Sequence, residues 1–448
     1  MKKYVFEINS EEKIYLQIYN KISSDISNGL IKKNEHLPSK RNMAIDLGVS
    51  ISSVLKAYEL LSNEGYIYSV EKKGYYASDI NMPANKTNKP IKINEDINDI
   101  EYDFSTNKVD YSIFPKNKFN QISKDIIYNT SKYLNKSSSK GLIDLRYAIK
   151  EYLFESKDIN VNVEQIIISS STNDLMKKLI NLLNIKSIAL ENPGYHFIND
   201  LDIKINYIDL DNNGINIDKL NKSDSELVIV TPYNQFPLGI KMPLNRKIEL
   251  IQAFKNKYIV EDSFDSNFRN NNVTGISLFS LSNNVIYLES FSRTMYPGLC
   301  VSFMVLPDEL ALKYNKLFKG FSSVSSLDQL ILAEFIKRGD FYKHVNKTRN
   351  TYLKKKKMIL DNLDKNLFDI EYKDNYSNVI LKIKYDIDYK KLKEELKNNK
   401  IDVLLLSDFY NGIINYDYLI IGFSGIAINK IIDGLEELSK VVRKNIKK

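Results

Sequence analysis

Two stretches of this chain carry residue types that could do chemistry at the spacing they show. In residues 37–67, LPSKRNMAIDLGVSISSVLKAYELLSNEGYI, the run Ser50, Ile51, Ser52, Ser53 opens an apolar-periodic segment, with Lys56 one turn on. Side chains at the head of a helix that enters a major groove face base edges. Lys40 and Arg41 upstream are placed to reach phosphates, and Lys72 and Lys73 downstream to touch the backbone or enter the minor groove. In residues 168–178, ISSSTNDLMKK, Ser169, Ser170, Ser171 and Thr172 lie between a β-branched run and a helical one. Free amides at such a helix head can hold a phosphate. Ordinary N-capping by Ser or Thr is the other reading.

The elements around the first stretch fit its chemistry. Ile14, Ile18, Ile22 and Ile26 recur at i, i+4 and predict a helix over 13–30, with Gly29 at its stop. Pro38 sets an extended entry, and Ser39 is an N-cap for a short helix ending at Leu47. Gly48 makes the turn. Ser50 caps a second helix that buries Val54, Ala57, Tyr58 and Leu61 and ends at Gly65. YIYSV and YYAS follow as two strands joined by EKKG. That order describes a winged helix-turn-helix over residues 1–79. A helical adaptor with solvated lysines is the alternative, because residues 1–80 hold 11 basic and 10 acidic side chains. The complete order of elements favours DNA.

Residues 80–100 carry two prolines, many Asn and Lys and no apolar period, and read as a linker. Beyond it QIIIS, SIALE, INYIDL, LVIVT, YIVED, VIYLES and VSFMVL are short apolar runs, several of them separated by helical stretches. That alternation predicts an α/β fold with a mostly parallel sheet over 101–344. A smaller α/β subdomain is expected over 345–448, with a long basic helix, the strands NVILKIK and YLIIGFS, and a last helix.

Composition narrows the classes. Over 448 residues, 43% hydrophobic and 27% charged is the balance of a folded, water-soluble chain. No apolar run approaches the roughly 18 residues of a membrane span, and MKKYVFEINSEEK lacks the apolar core of a secretory signal. The single cysteine, Cys300, permits no internal disulfide, and three histidines argue against a histidine metal site, so no metal is expected. A cytoplasmic location is expected. The net charge of +8 permits nucleic-acid binding without arguing strongly for it.

Residues 37–67 resemble the GntR family signature, in which LPS-x-R, an LGVS turn and a V-x-x-AY-x-x-L-x-x-EG-[YW] helix recur. The family usually places Arg directly after the Ser of the turn; here that residue is Ile51. The region from about 103 to 425 resembles fold-type I aminotransferases that bind pyridoxal phosphate, and more closely the aminotransferase-like domain of MocR regulators. The matching pieces are YDFSTNKVDYSIFP, GLIDLRYAIKEYL, ENPGYHF, TPYNQFPLGIKMPLNRKIELI, VEDSFDSNFR and ESFSRTMYPGL, in family order.

The resemblance also marks departures. The imine-forming lysine of FSKTL corresponds to Arg293, after Ser292; a guanidinium stays protonated and is a poor nucleophile. The Arg of PGLR-x-G is Cys300, the Tyr of EDDYD is Phe264, and the Arg of LRLGF aligns with Ile420. The Gly of the phosphate-binding turn is Ser170, with Ser171 beside it, and its glutamines are Thr172 and Asn173. Asp262 remains at the position that pairs with the pyridine nitrogen, with Tyr195 and Asn234 near the expected ring; packing roles for these are the other reading. Arg293 is expected to pair with Asp262, or to grip a small anionic effector by bidentate contacts.

The sequence thus reads as a transcription regulator that binds double-stranded DNA. Its large domain is expected to be catalytically inactive, to form homodimers, to hold no covalent cofactor and to have lost pyridoxal phosphate. A regulator that still binds pyridoxal phosphate noncovalently is the alternative. A working aminotransferase is the remote one.

Overall fold

The computed structural model describes residues 12–79, 100–106, 108–195, 202–268, 275–372, 375–412 and 418–447. The linker expected at 80–100 lies outside them except for its last residue. The chain divides into two compact units, residues 1–97 and 98–448.

In the first unit α1 (Ile14–Ser27), α2 (Lys40–Leu47) and α3 (Ile51–Asn63) precede the hairpin β1 (Ile67–Val70) and β2 (Gly74–Ala77). Both expected caps form: Ser39 Oγ accepts from Asn42 N–H, and Ser50 Oγ from Ser53 N–H. Gly48 adopts φ 65°, the left-handed conformation that lets the chain reverse between α2 and α3. Ile18, Ile22 and Ile26 of α1 pack on Val54, Ala57, Tyr58 and Leu61 of α3 in one core, whereas Ile14, in the first turn, is exposed.

The second unit is built on an eight-stranded sheet. Its strands are β4 (Ile166–Ser169), β5 (Ser187–Asn192), β6 (Lys204–Asp211), β7 (Gly214–Ile215), β8 (Leu227–Val230), β9 (Tyr258–Asp262), β10 (Val285–Ser290) and β11 (Ser302–Val305). Their order is β4-β11-β10-β9-β8-β5-β6-β7. The central pairings β10/β9, β9/β8, β8/β5 and β5/β6 are parallel, while β11 runs antiparallel to both neighbours. The five buried runs of β4, β5, β8, β10 and β11 have no polar alternation because helices cover both faces. One edge differs from expectation. The INYIDL run extends to Asp211 and folds back at Gly214, φ 108°, into β7.

A four-stranded sheet, including Asn378–Ile383 and Leu419–Gly422, and the helices Asp340–Asn362 and Ile431–Lys444 make the C-terminal part. The strand β3 (Tyr102–Asp103) joins that part: it pairs in parallel with Ile401–Asp402, and Phe104 is in the same core as Val379 and Leu438. The buried Lys355 holds this entry segment through Asp110 at 2.8 Å.

Candidate nucleic-acid interface and candidate cofactor pocket

The head of α3 presents the expected face. Ser50 and Ser52 are exposed and Ser53 half-buried, and Ser50 Oγ lies 2.9 Å from each of the other two hydroxyls. Ile51 is 49% exposed beside them; an apolar side chain there can meet a thymine methyl, where a guanidinium would take a guanine or a phosphate. Arg41 is exposed at the head of α2. Lys40 and Lys56 are drawn back onto rings, Lys40 Nζ 5.2 Å from the Tyr75 centroid and Lys56 Nζ 4.4 Å from that of Tyr15. Lys72 and Lys73 form the exposed wing tip, where Lys72 adopts φ 59° and His36 Nε2 bonds the Lys73 carbonyl at 2.9 Å.

In the second unit the carboxyl ends of β5, β8, β9 and β10 surround a cavity of about 280 Å³, where open parallel sheets bind ligands. Sequence reasoning marked Asp262, Phe264, Tyr195, Ser292, Arg293 and Thr172, and all of them line it. It overlooked Glu191 and Glu289, which also line it.

Arg293 does not pair with Asp262. Its Nε donates to Asp265 Oδ1 at 3.0 Å, NH2 reaches Oδ2 at 3.4 Å, and NH1 donates to the Thr106 carbonyl. Its guanidinium also sits 5.3 Å from the Phe264 ring centroid. The turn after β9 decides this. Asp265 adopts φ 52°, and its carboxylate is fully buried. The expected bidentate grip on an anion is thus spent inside the protein.

The carboxylates divide into satisfied and unsatisfied. Glu289 accepts from Tyr152 at 2.6 Å, Asn267 at 2.8 Å and Tyr287 at 2.5 Å. Glu191 Oε2 accepts from Thr231 N–H and Oγ, but its Oε1 has no hydrogen-bond partner among the described residues. Burial pushes Glu191 up to about 7, against the hydrogen bonds from Thr231 and the nearby Gln235 amide. Asp262 is also pushed up to about 7, by burial and then by the charges of Glu191, Glu289 and Asp265.

The remaining expected residues stand apart from the cavity lining. Asn234 is fully buried and donates to Asn375 Oδ1 at 3.1 Å. Cys300 is exposed at φ 50°, its Sγ 3.6 Å from the Pro297 carbonyl. Ile420 is fully buried between Leu404 and Ile380. At the head of α6 (Thr172–Leu183) the hydroxyls are already engaged. Ser171 caps Asp174 N–H, Ser170 N–H donates to Ser323 Oγ, and Ser169 Oγ donates to Asp174. Asp174 also takes Lys178 at 2.8 Å. Burial alone would raise its carboxyl, but the bonds from Lys178 and Ser169 hold it below the usual range, so the helix head carries its own anion.

Residues 14–76 match the family described as bacterial regulatory proteins, gntR family, and residues 99–407 match aminotransferase class I and II. The chain belongs to the MocR-type regulators. It is 32% identical over 447 residues to the HTH-type transcriptional regulator YdeL of Bacillus subtilis, covering 95% of this chain and 96% of that one. It is 26% identical to the probable rhizopine catabolism regulatory protein MocR of Rhizobium meliloti, over 80% and 78% of the two chains. In fold it is similar to an archaeal alanine:glyoxylate aminotransferase, with a TM-score of 0.70 at 20% identity, over 77% of this chain and 91% of that one. As a MocR-type regulator the chain is a DNA-binding transcriptional regulator with an aminotransferase-like domain. No helix among the described residues is long and apolar enough to cross a membrane.

The fold family of MocR-type regulators implies pyridoxal phosphate, and the residues present fit it poorly. Asp262 suits a protonated ring nitrogen. Among the described residues lining the cavity there is no lysine to form an imine, and the lone cation, Arg293, is engaged by Asp265. Lys241 lines a different cleft, its Nζ 5.3 Å from the Tyr376 ring centroid. A phosphate at α6 would meet Asp174.

Proposed function

We propose that this MocR-type regulator reads duplex DNA through α3 and the wing, and that its aminotransferase-like domain is a ligand-sensing, dimer-forming body without catalysis. The observation that carries it is the Arg293 guanidinium held by Asp265 and Thr106, at the position that the family resemblance gives to the imine-forming lysine. A guanidinium so held neither attacks an aldehyde nor shuttles a proton. Incubation with excess pyridoxal phosphate, borohydride reduction and mass spectrometry tests this. The expected result is no stoichiometric adduct at any single lysine of the large domain. An adduct at one lysine overturns it and moves a cofactor-binding regulator ahead.

Dimer formation is part of the same reading. The helices α4 (Lys116–Asn129) and α5 (Ile143–Lys157), with the turn between them, leave Tyr128, Leu134, Tyr147 and Phe154 exposed at 84%, 71%, 51% and 57%. Monomers keep such apolar surface scattered and small. Two winged helices on one dimer would read two half-sites. Sedimentation at micromolar concentration is expected to give a single species of twice the 51.9 kDa chain mass; a monomer there contradicts dimer formation.

A further inference from the structure

The cavity at the sheet's carboxyl ends has a charge pattern opposite to that of a phosphate or carboxylate site. Among the described residues four carboxylates line it, Glu191, Asp262, Asp265 and Glu289, against one guanidinium, Arg293. Asp265 is consumed by Arg293, and Glu289 by two tyrosine hydroxyls and an amide. Two acids are left facing the space. Among the described residues the donor to Asp262 is the Phe264 backbone N–H. Glu191 is 6% exposed, and its Oε1 has no partner at hydrogen-bonding geometry among the described residues. Gln235 is near, but its amide is committed to the Pro193 and Phe236 carbonyls at 2.7 and 2.6 Å. A buried carboxylate oxygen without a donor is costly, and a ligand N–H would satisfy it.

The rest of the wall is mixed: hydroxyls of Thr106, Thr172, Ser263 and Ser292 and the Asn267 amide lie among apolar and aromatic side chains. Phe236 and Phe264 meet edge to face at 5.7 Å, and Leu190 and Ile229 complete the floor. Ring faces beside carboxylates favour a cation with a short apolar body. A space of about 280 Å³ exceeds the ~150 Å³ that accommodates a benzene ring, so a ligand of roughly ten heavy atoms fits.

We propose that this cavity binds a small organic cation bearing N–H donors, an alkylammonium or a protonated heteroaromatic amine, through Asp262 and Glu191, and without a carboxylate or phosphate group. The inference rests on the reading of the domain as a ligand sensor, and it replaces the anion expected from Arg293 alone. Both acids titrate near neutrality, facing Glu289 and Asp265 as like charges and Arg293 as the opposite one. A cation meets a carboxylate rather than a carboxyl, so apparent affinity rises with pH, by about tenfold from pH 6 to pH 8 if one proton is released.

The test is calorimetric titration of the full chain with n-butylamine and with 4-aminopyridine, and with butyrate and pyridoxal phosphate as anionic controls. One amine arm, or both, is expected to bind at one site per chain. The arm that binds tells an aliphatic from a heteroaromatic ligand. Butyrate and pyridoxal phosphate are expected to bind at least tenfold more weakly. Asp262→Asn and Glu191→Gln each remove a buried charge, so both should fold, and each should weaken amine binding at least tenfold and flatten its pH dependence. Three results overturn the inference: no amine binding up to about 10 mM, tighter binding of either anion, or amine binding unchanged in both variants. A borohydride-reducible adduct on the same preparation would instead overturn the absence of imine chemistry. No adduct together with no amine binding removes only this inference.

Discussion

Replacing Arg293 with Met is expected to destabilise the C-terminal unit by about 3–5 kcal/mol, the scale for removing one partner of a buried ion pair. Asp265 is the reason. Its carboxylate is fully buried, and Arg293, 16% exposed, is its cation at 3.0 Å. Arg293→Met leaves that charge facing Glu191, Asp262 and Glu289 with no counter-ion. The double variant Asp265→Asn, Arg293→Met should recover most of the loss, since a neutral pair removes the uncompensated charge. Urea denaturation of wild type, both single variants and the double variant gives the coupling directly. A single Arg293→Met variant within about 1 kcal/mol of wild type would mean that the pair is solvated and not structural.

Tyr58→Ala is expected to abolish duplex binding while leaving the melting of residues 98–448 unchanged. Tyr58 is fully buried, meets the Tyr75 ring edge to face at 5.0 Å, and donates to the Pro38 carbonyl at 2.8 Å. It thus ties α3 to both the α2 entry and the wing. An aromatic-to-Ala truncation in a core costs about 3–5 kcal/mol. That is most of the stability of so small a unit. Tyr58→Phe removes only the hydroxyl bond, about 1 kcal/mol, and should still bind. If Tyr58→Ala binds a cognate duplex within about threefold of wild type, under 1 kcal/mol, the core is more tolerant than this packing implies.

Periodicity carried most of the architecture. The isoleucines of α1, the stripe of α3 and the serine caps act through local geometry, so spacing alone locates them. The sheet strands were legible because buried parallel strands are unbroken apolar runs. The site was legible in its members and not in its pairings. Which acid meets Arg293 depends on a left-handed residue at Asp265; Asp adopts that conformation more readily than most residues, but its identity alone does not say which Asp will. Glu191 and Glu289 are next to last in their strands and give no sign in sequence that the sheet gathers them around one space. The union of β3 with the C-terminal part, about 300 residues away in sequence, has no local signal either.

Asp174 sets a direction on how this chain can change. A phosphate-binding α6 would need that carboxylate removed, yet Ser169 donates to it and Lys178, 19% exposed, rests on it. Taking it away first strands a half-buried ammonium before any cofactor is gained. Freeing Ser170 from Ser323, or exchanging Arg293 for a lysine beside Asp265, likewise loosens the fold in advance of any benefit. Each such single step is uphill on its own and useful only in company with the others. Among descendants of such a sequence, the pocket is freer to drift toward other ligands than toward a phosphate-bearing one.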